Sequence, residues 1–310
     1  MRRALPLATL AFLAAPAAAG GPVVTVEVIP GTLSADDLSP DGRWVVGLAQ
    51  SFIPYRYDRL TDTFIVLPGG ISASAVSDDG SVVLGNMPEP GTGNQVAGIW
   101  REGQGWTSLG TFPGGSTCGS VSAGYELSGD GTIAVGLAWN ECSGVGFRWT
   151  EGEGMVALES LANGNNRASV VSADGQVIGG FAQGSFSRTP ARWAADGSGV
   201  LLDPPGGDAI GEVHGISDDG SVLLGEFDGD AVRWVKGGEP EILGSGQSLP
   251  GWIGIPTDIA DDGTIIGFDV LLTNRRAWIQ VGGTGALRRL ATWATDNGAV
   301  IPDEVSMDVA

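Results

Sequence analysis

Val76-Ser77-Asp78-Asp79-Gly80-Ser81-Val82-Val83-Leu84-Gly85 is the stretch whose reading decides the fold. Its pattern, apolar-Ser-x-Asp-Gly-x-apolar-x-apolar-Gly, returns at 38–47, 127–136, 171–180 and 216–225, and one residue shorter at 259–267. Asp-Gly between two apolar runs marks a hairpin, because Gly takes the positive φ of the turn at no steric cost. The turn glycines stand at 42, 80, 131, 175, 220 and 263, at intervals of 38, 51, 44, 45 and 43 residues. A period near 44 makes this a repeat protein.

Two further landmarks follow each turn. The first is a short strand with an aromatic, as in Arg56-Tyr57, Trp100-Arg101, Arg148-Trp149, Arg192-Trp193, Arg233-Trp234 and Ala277-Trp278. The second is a strand running into Leu-Gly or Leu-Pro, such as 106–110 and 241–244, and it fades in the sixth unit. Each unit therefore holds four strands, which is the content of a β-propeller blade. Near-continuous apolar runs such as Val82-Val83-Leu84 suit sheets covered on both faces by neighbouring blades. A β-solenoid is the competing fold, but its coils are usually about half this length. The expectation is an all-β propeller of six four-stranded blades, or seven with a composite last one. The strand at 23–29 is expected to complete the last blade and seal the ring. Leu287, Leu290, Ala291 and Ala294 recur at helical spacing, predicting a short C-terminal helix over 286–295, with another strand over 305–310.

Met1-Arg2-Arg3, an apolar run over 4–15 and Ala17-Ala18-Ala19 have the layout of a cleaved secretory signal peptide. The chain divides into a signal over 1–19 and a single repeat domain over 20–310, exported to the periplasm or the exterior. After cleavage no run approaches the ~18 apolar residues of a membrane span. With 52 Gly yet 42% hydrophobic residues, the composition fits many short strands joined by tight turns. A net charge of −20 and a single lysine, Lys236, exclude nucleic acid and anionic membrane surfaces as partners. Cys118 and Cys142 lie equidistant from the Asp130-Gly131 turn, so the hairpin register brings them face to face. In an oxidising compartment they form a disulfide, contributing roughly 3 kcal/mol on the loop-entropy account.

The Ser-x-Asp-Gly-x-Val-x-x-Gly hairpins, the strand Gly146-Phe147-Arg148-Trp149 and the strand over 155–158 together resemble the bacterial extracellular HAF-repeat family. The segment Thr107 to Gly110, with Pro113-Gly114-Gly115 after it, is a second good copy, and the resemblance covers nearly the whole chain after the signal. The His of the family's name is missing from every Arg-Trp strand. The resemblance implies an exported repeat protein and carries no established activity.

Few residues offer chemistry of their own. His214 is the only histidine, so neither a His-dependent triad nor a multi-His metal site can be built. Its place ahead of the turn is taken by Thr257 in the sixth unit, which reads as a strand position. The acid pairs Asp78-Asp79, Asp218-Asp219 and Asp261-Asp262 read as turn residues, with calcium ligation as the alternative. No Asp-x-Asp-x-Asp-Gly loop is present, so no cofactor or metal is expected. The Arg-Trp pairs should put Trp between blades, predicting burial of Trp149, Trp193 and Trp234, with Arg on the other face against an acid or an aromatic.

Loops between the second and third strand of a unit share one face with the blade-to-blade connections, and variable loops on a common face usually carry binding. The candidate ligand-binding residues there are Trp139, Asn140, Phe186, Arg188 and Trp252. The expected function is a monomeric, non-enzymatic scaffold for a protein or glycan ligand. The alternatives are a polysaccharide lyase or glycosidase using acids and Arg in the channel, and an envelope repeat without a specific ligand. Fold does not arbitrate among them. An Asp, Glu, Arg and Tyr cluster in the channel mouth would favour the enzyme, and aromatics exposed together on the loop face would favour binding.

Overall fold

The computed structural model describes residues 9–15, 23–113, 119, 121–162, 164–183, 187–202, 210–244, 252–302 and 308–309. Two antiparallel strands, β1 (Thr9–Ala15) and β2 (Val23–Ile29), precede the repeats. Blade 1 is β3 (Asp37–Leu38), β4 (Trp44–Leu48), β5 (Pro54–Asp58) and β6 (Thr63–Val66). Blade 2 is β7 (Ser72–Val76), β8 (Val82–Pro88), β9 (Gln95–Arg101) and β10 (Gly105–Gly110). Blade 3 is β11 (Ser122–Leu127), β12 (Ile133–Asn140), β13 (Ser143–Thr150) and β14 (Gly154–Ala157). Blade 4 is β15 (Asn166–Val171), β16 (Val177–Gln183), β17 (Arg188–Ala194) and β18 (Gly199–Leu201). Blade 5 is β19 (Gly211–Ile216), β20 (Val222–Phe227), β21 (Asp230–Val235) and β22 (Glu241–Gly244). Blade 6 is β23 (Ile253–Ile259), β24 (Ile265–Leu271), β25 (Asn274–Gln280) and β26 (Arg288–Arg289), followed by helix α1 (Leu290–Asp296) and β27 (Asp308–Val309).

Every blade is an antiparallel meander in chain order, and the first strands of successive blades touch one another. Those first strands surround the axis of a six-bladed propeller. The Asp-Gly turns then lie at one end of the channel. The loops between second and third strands share the other end with the blade-to-blade connections.

The repeated motif explains the local geometry atom by atom. In blade 2 the Ser77 hydroxyl donates to Asp79 Oδ1 at 2.8 Å and accepts from Val82 N at 3.0 Å, while Gly80 N donates to the Ser77 carbonyl at 2.8 Å. The same Ser–Asp bond recurs at Ser39, Ser128, Ser172 and Ser217. In blade 6, Ala260 stands in place of Ser and the bond is lost. Only the glycine takes positive φ, 71° at Gly80, so the turn is a type I reversal closed by a glycine bulge. Gly80 also receives the neighbouring blade: a Cβ there would stand 2.2 Å from the Trp44 ring.

The glycine that ends the motif has a different cause. The first strand carries a β-bulge in blades 2 to 6, for example between Gly124 and Glu126. Opposite it, a Cβ on Gly85, Gly136, Gly180 or Gly225 would lie 1.9–2.1 Å from the carbonyl oxygen of Ser72, Ala123, Arg167 or Glu212. Only hydrogen fits there.

The hydrophobic core is divided into layers between blades. One layer joins Leu84 and Ile99 of blade 2 to Leu127, Ala134 and Phe147 of blade 3, and another joins Val170 of blade 4 to Val213, Leu223 and Trp234 of blade 5. Trp193 and Trp278 are fully buried, and Trp100 and Trp234 nearly so. Trp149 is only half-buried, against expectation. Trp193 pairs with Gly199, which leaves room for the ring, whereas the partner of Trp149 is Met155, itself buried. The strand arginines behave as expected: Arg56 pairs with Glu102 at 2.9 Å and lies over Trp44 and Trp100, while Arg148 and Arg233 pair with Glu153 and Glu241.

Ring closure departs from the sequence reading. Strand β2 pairs with β1 and not with blade 6, whose free edge on β25 is filled by β26 and, after the α1 excursion, by β27. β2 closes the ring through side chains instead. Val24 and Val26 pack on Trp293, Ala294 and Ala299 beside α1, and Ile29 enters the core of blade 1 with Val45 and Tyr55. The predicted helix begins four residues later than expected, at Leu290.

The bulge–glycine fit yields a direct test. Gly180→Ala is expected to destabilise the protein by about 1–3 kcal/mol, because the clashing atom is backbone. Gly152→Ala, at a position with open space, should stay within about 0.5 kcal/mol of wild type. Urea midpoints of the two variants at constant m-value check this.

Candidate functional site

The channel is built from the first strands, and the bulges set which residues face it. In blades 3, 4 and 5 the inserted residues are Tyr125, Ser169 and His214. The next position holds Glu126 in blade 3, and Asp37 and Asp258 fill it in blades 1 and 6, while Ala75, Val170 and Gly215 occupy it in the other blades. The three carboxylates sense one another across the axis. Burial pushes Asp37 up to about 7, with Asp258 and Asp36 adding repulsion. Burial also raises Glu126 well above the usual carboxylate range, with Asp37 and Asp258 contributing, and burial raises Asp258. Asp258 nevertheless keeps an exposed surface. A side chain surrounded by protein yet open to solvent is what the wall of a narrow wet shaft presents. Asp37 Oδ2 accepts the Val76 N–H of the next blade at 2.7 Å, and this bond offsets part of its burial.

At the turn end the blades are joined by backbone hydrogen bonds. Asp78 N donates to the Gly129 carbonyl at 2.8 Å, Gly129 N to Ala173 at 2.9 Å, and Ala173 N to Asp218 at 3.0 Å. These residues occupy the same motif position in four successive blades, so the turns are linked hand to hand around the axis.

At the loop-bearing mouth, side chains of blade 4 converge on Glu212 of blade 5, and Tyr125 of blade 3 joins them through Arg167. This carboxylate is 1% exposed and accepts from Arg167 Nη2, from Ser169 Oγ at 2.7 Å and from Arg188 Nη1 at 3.1 Å. Both guanidinium groups lie over Phe181, at 5.1 and 4.6 Å, and Arg167 also lies over Tyr125 at 5.2 Å. Stacking and the buried carboxylate fix the planes of both arginines. Nearby, His214 Nε2 lies 2.6 Å from Glu226, whose strand position faces Glu212. Tyr125, Arg167 and Glu212 escaped the sequence reading. The available signal was the period itself: Arg167 and Glu212 fill a repeat position held by Ser72, Ala123 and Ile255 in sister blades.

The sequence candidates are scattered. Trp139 and Asn140 end β12 and are half-buried, with Trp139 N bonded to the Val121 carbonyl at 3.0 Å. Arg188 joins the Glu212 cluster. Trp252 is buried under Arg276, 4.7 Å away, so it forms wall and not an exposed platform. Phe186 and Cys118 lie outside the described residues, as does most of the segment read as a signal peptide. Cys142 sits at φ 71° in the β12–β13 turn, and no free thiol occurs among the described residues. The turn acids are held by their own loops: hydrogen bonds from Ser221 and Ser217 bring Asp219 down to about 2. Among the described residues, no group of three or more His, Cys, Asp or Glu could hold a metal ion. Other loop-face hairpins expose apolar tips in the left-handed region, Phe52 at φ 58° and Leu272 at φ 56°.

No known protein family and no curated protein matches the chain. Among solved structures it is similar to a putative TolB from Agrobacterium tumefaciens, at 13% identity and a TM-score of 0.51, covering 86% of this chain and 83% of that one. It is equally similar to the hydrazine synthase of Kuenenia stuttgartiensis, at 14% identity and TM-score 0.51, over 81% and 77% of the two chains. A TolB from Acinetobacter baumannii matches at 16% identity and TM-score 0.48, over 68% of this chain, which spans 55% of that protein's chain. At these identities the likeness at a TM-score of 0.51 bears on the fold alone, and there it agrees with the propeller.

The acids of the shaft give stability a defined pH dependence. Asp37 titrates near 7 when folded and near 3.8 when unfolded, so between those values the folded state binds more protons. Stability therefore falls as pH rises from about 4 to about 7 and then levels. Asp37→Asn, which keeps an acceptor for Val76 N–H, should flatten this slope and raise the melting temperature at pH 8 relative to wild type. Melting curves at pH 5 and pH 8 read both effects.

Proposed function

We propose that this chain is an exported, non-enzymatic binding scaffold of the HAF-repeat type, which takes its ligand, a protein or a glycan, at the loop-bearing mouth of the propeller. One observation carries the reading. Charged and aromatic side chains of three blades meet at that mouth, while at the opposite end backbone bonds tie neighbouring turns to one another. Exposed Phe52 and Leu272 on the same face, both in backbone conformations that such residues rarely adopt, support it, because strain and exposed apolar surface gather at binding sites. Export to the periplasm or exterior rests on the charged, apolar and small-residue order of the first 19 residues. No helix among the described residues is long and apolar enough to cross a membrane. The Cys118–Cys142 disulfide belongs to the same reading and rests on the equal distance of the two cysteines from the Asp130-Gly131 turn.

A second reading, a propeller lyase or glycosidase, draws on Tyr125, Glu126, Arg167 and His214, which all come from first strands around one shaft. The secreted protein, screened on a glycan array and by affinity capture beside a hydrolase and lyase panel, separates the two. Saturable binding that weakens about tenfold in Trp139→Ala, with no turnover, is expected. Product formation abolished by Tyr125→Phe or Arg167→Gln would replace the scaffold reading with the enzymatic one.

A further inference from the structure

Arg188 is held in place without being used up. Glu212 is buried and already accepts from three donors, and Arg167 is committed to Glu212, to Ser169 and to two aromatic rings. Arg188 makes one hydrogen bond among the described residues, and its side chain is 48% exposed. Its plane is fixed by Phe181 beneath and Glu212 alongside. A guanidinium with a fixed plane and free N–H groups is shaped to receive a second carboxylate in fork geometry.

Further down the same shaft the sign reverses. Glu126 and Asp258 occupy the repeat position of Val170, three residues along the strand from Arg167. That is about 7–10 Å for a bulged strand. The depth from the level of the Arg167–Glu212–Arg188 cluster to that of these acids is thus on the order of an extended lysine or arginine stem.

We propose that the channel mouth binds the C-terminal residue of a polypeptide ending in lysine or arginine, with its α-carboxylate on Arg188 and its side-chain cation among Asp37, Glu126 and Asp258. The inference rests on the reading of the loop-bearing face as a protein-binding surface. Charge complementarity selects this ligand over others. A polyanionic glycan meets a chain of net charge −20 and an acidic shaft, and a neutral glycan leaves both the guanidinium and the carboxylates unanswered. A chain end with one carboxylate and one cation on a flexible stem answers both.

Fluorescence anisotropy with N-terminally labelled hexapeptides tests it, using four otherwise identical peptides: ending in free-acid Lys, amidated Lys, free-acid Leu and free-acid Glu. The free-acid Lys peptide should bind at least about tenfold tighter than each of the others, the value of one charge-assisted hydrogen bond or ion pair. Arg188→Gln should abolish the preference for acid over amide while keeping that for Lys over Leu, and Asp258→Asn should weaken the second and keep the first. Unchanged melting temperatures exclude misfolding as the cause. Equal binding of acid and amide, no binding of any peptide, or a preference indifferent to Arg188→Gln would overturn the proposal. A protein partner that Trp139→Ala loses and Arg188→Gln retains would overturn it too, leaving the scaffold reading intact.

Discussion

A carbonyl oxygen pressed against a bare α-carbon governs this molecule. In five blades the first strand bulges, swinging one backbone carbonyl over the second strand, where glycine alone leaves room. The bulge adds a residue at a fixed height around the axis and increases the local twist. It thereby decides which side chains reach the shaft, among them Tyr125 and His214, and where pairing resumes before the Asp-Gly turn. The turn glycine, by contrast, answers to its own positive φ and to the neighbouring blade lying on it. Two glycines five residues apart in the motif, four in the sixth copy, thus serve unrelated steric needs, one within a blade and one between blades.

Much of the architecture was legible because it repeats. The hairpin, the Arg-Trp strand and the period near 44 encode local geometry six times over, so the strand order within a blade could be read off the chain, while the count stayed at six or seven. Closure could not, since it happens once and involves the two ends. The β2 strand looks like a fourth strand by its valines, yet those side chains serve α1 and blade 1. The C-terminal residues instead supply two short segments to the open edge of β25. The site was legible only in part. Arg188 was found as a loop-face residue, but its partner Glu212 and the stacked Arg167 lie in ordinary strand positions one period apart, and Trp252 proved to be wall.

The sister blades supply an internal comparison that most folds lack. At the position after the bulge, Ala75, Val170 and Gly215 show that the propeller accepts a small or apolar residue. Asp37, Glu126 and Asp258 at the same position are carboxylates whose ionised forms are disfavoured by burial and by neighbouring acids, Asp258 acting on the other two and Asp218 on Asp258. Their presence therefore lowers stability at neutral pH without a gain in packing.

The same comparison applies to Arg167 and Glu212, where sister blades hold Ser72, Ala123 and Ile255. A buried ion pair is seldom worth more than the apolar side chains that could replace it, so its place is poorly explained by stability. What the pair does achieve is geometric: it holds Arg188 half out of the wall with a fixed plane, above acids that face one another across the axis. Unfavourable electrostatics at two levels of one shaft, at repeat positions where sister blades show how to avoid them, is the mark of a surface kept for a ligand of mixed charge.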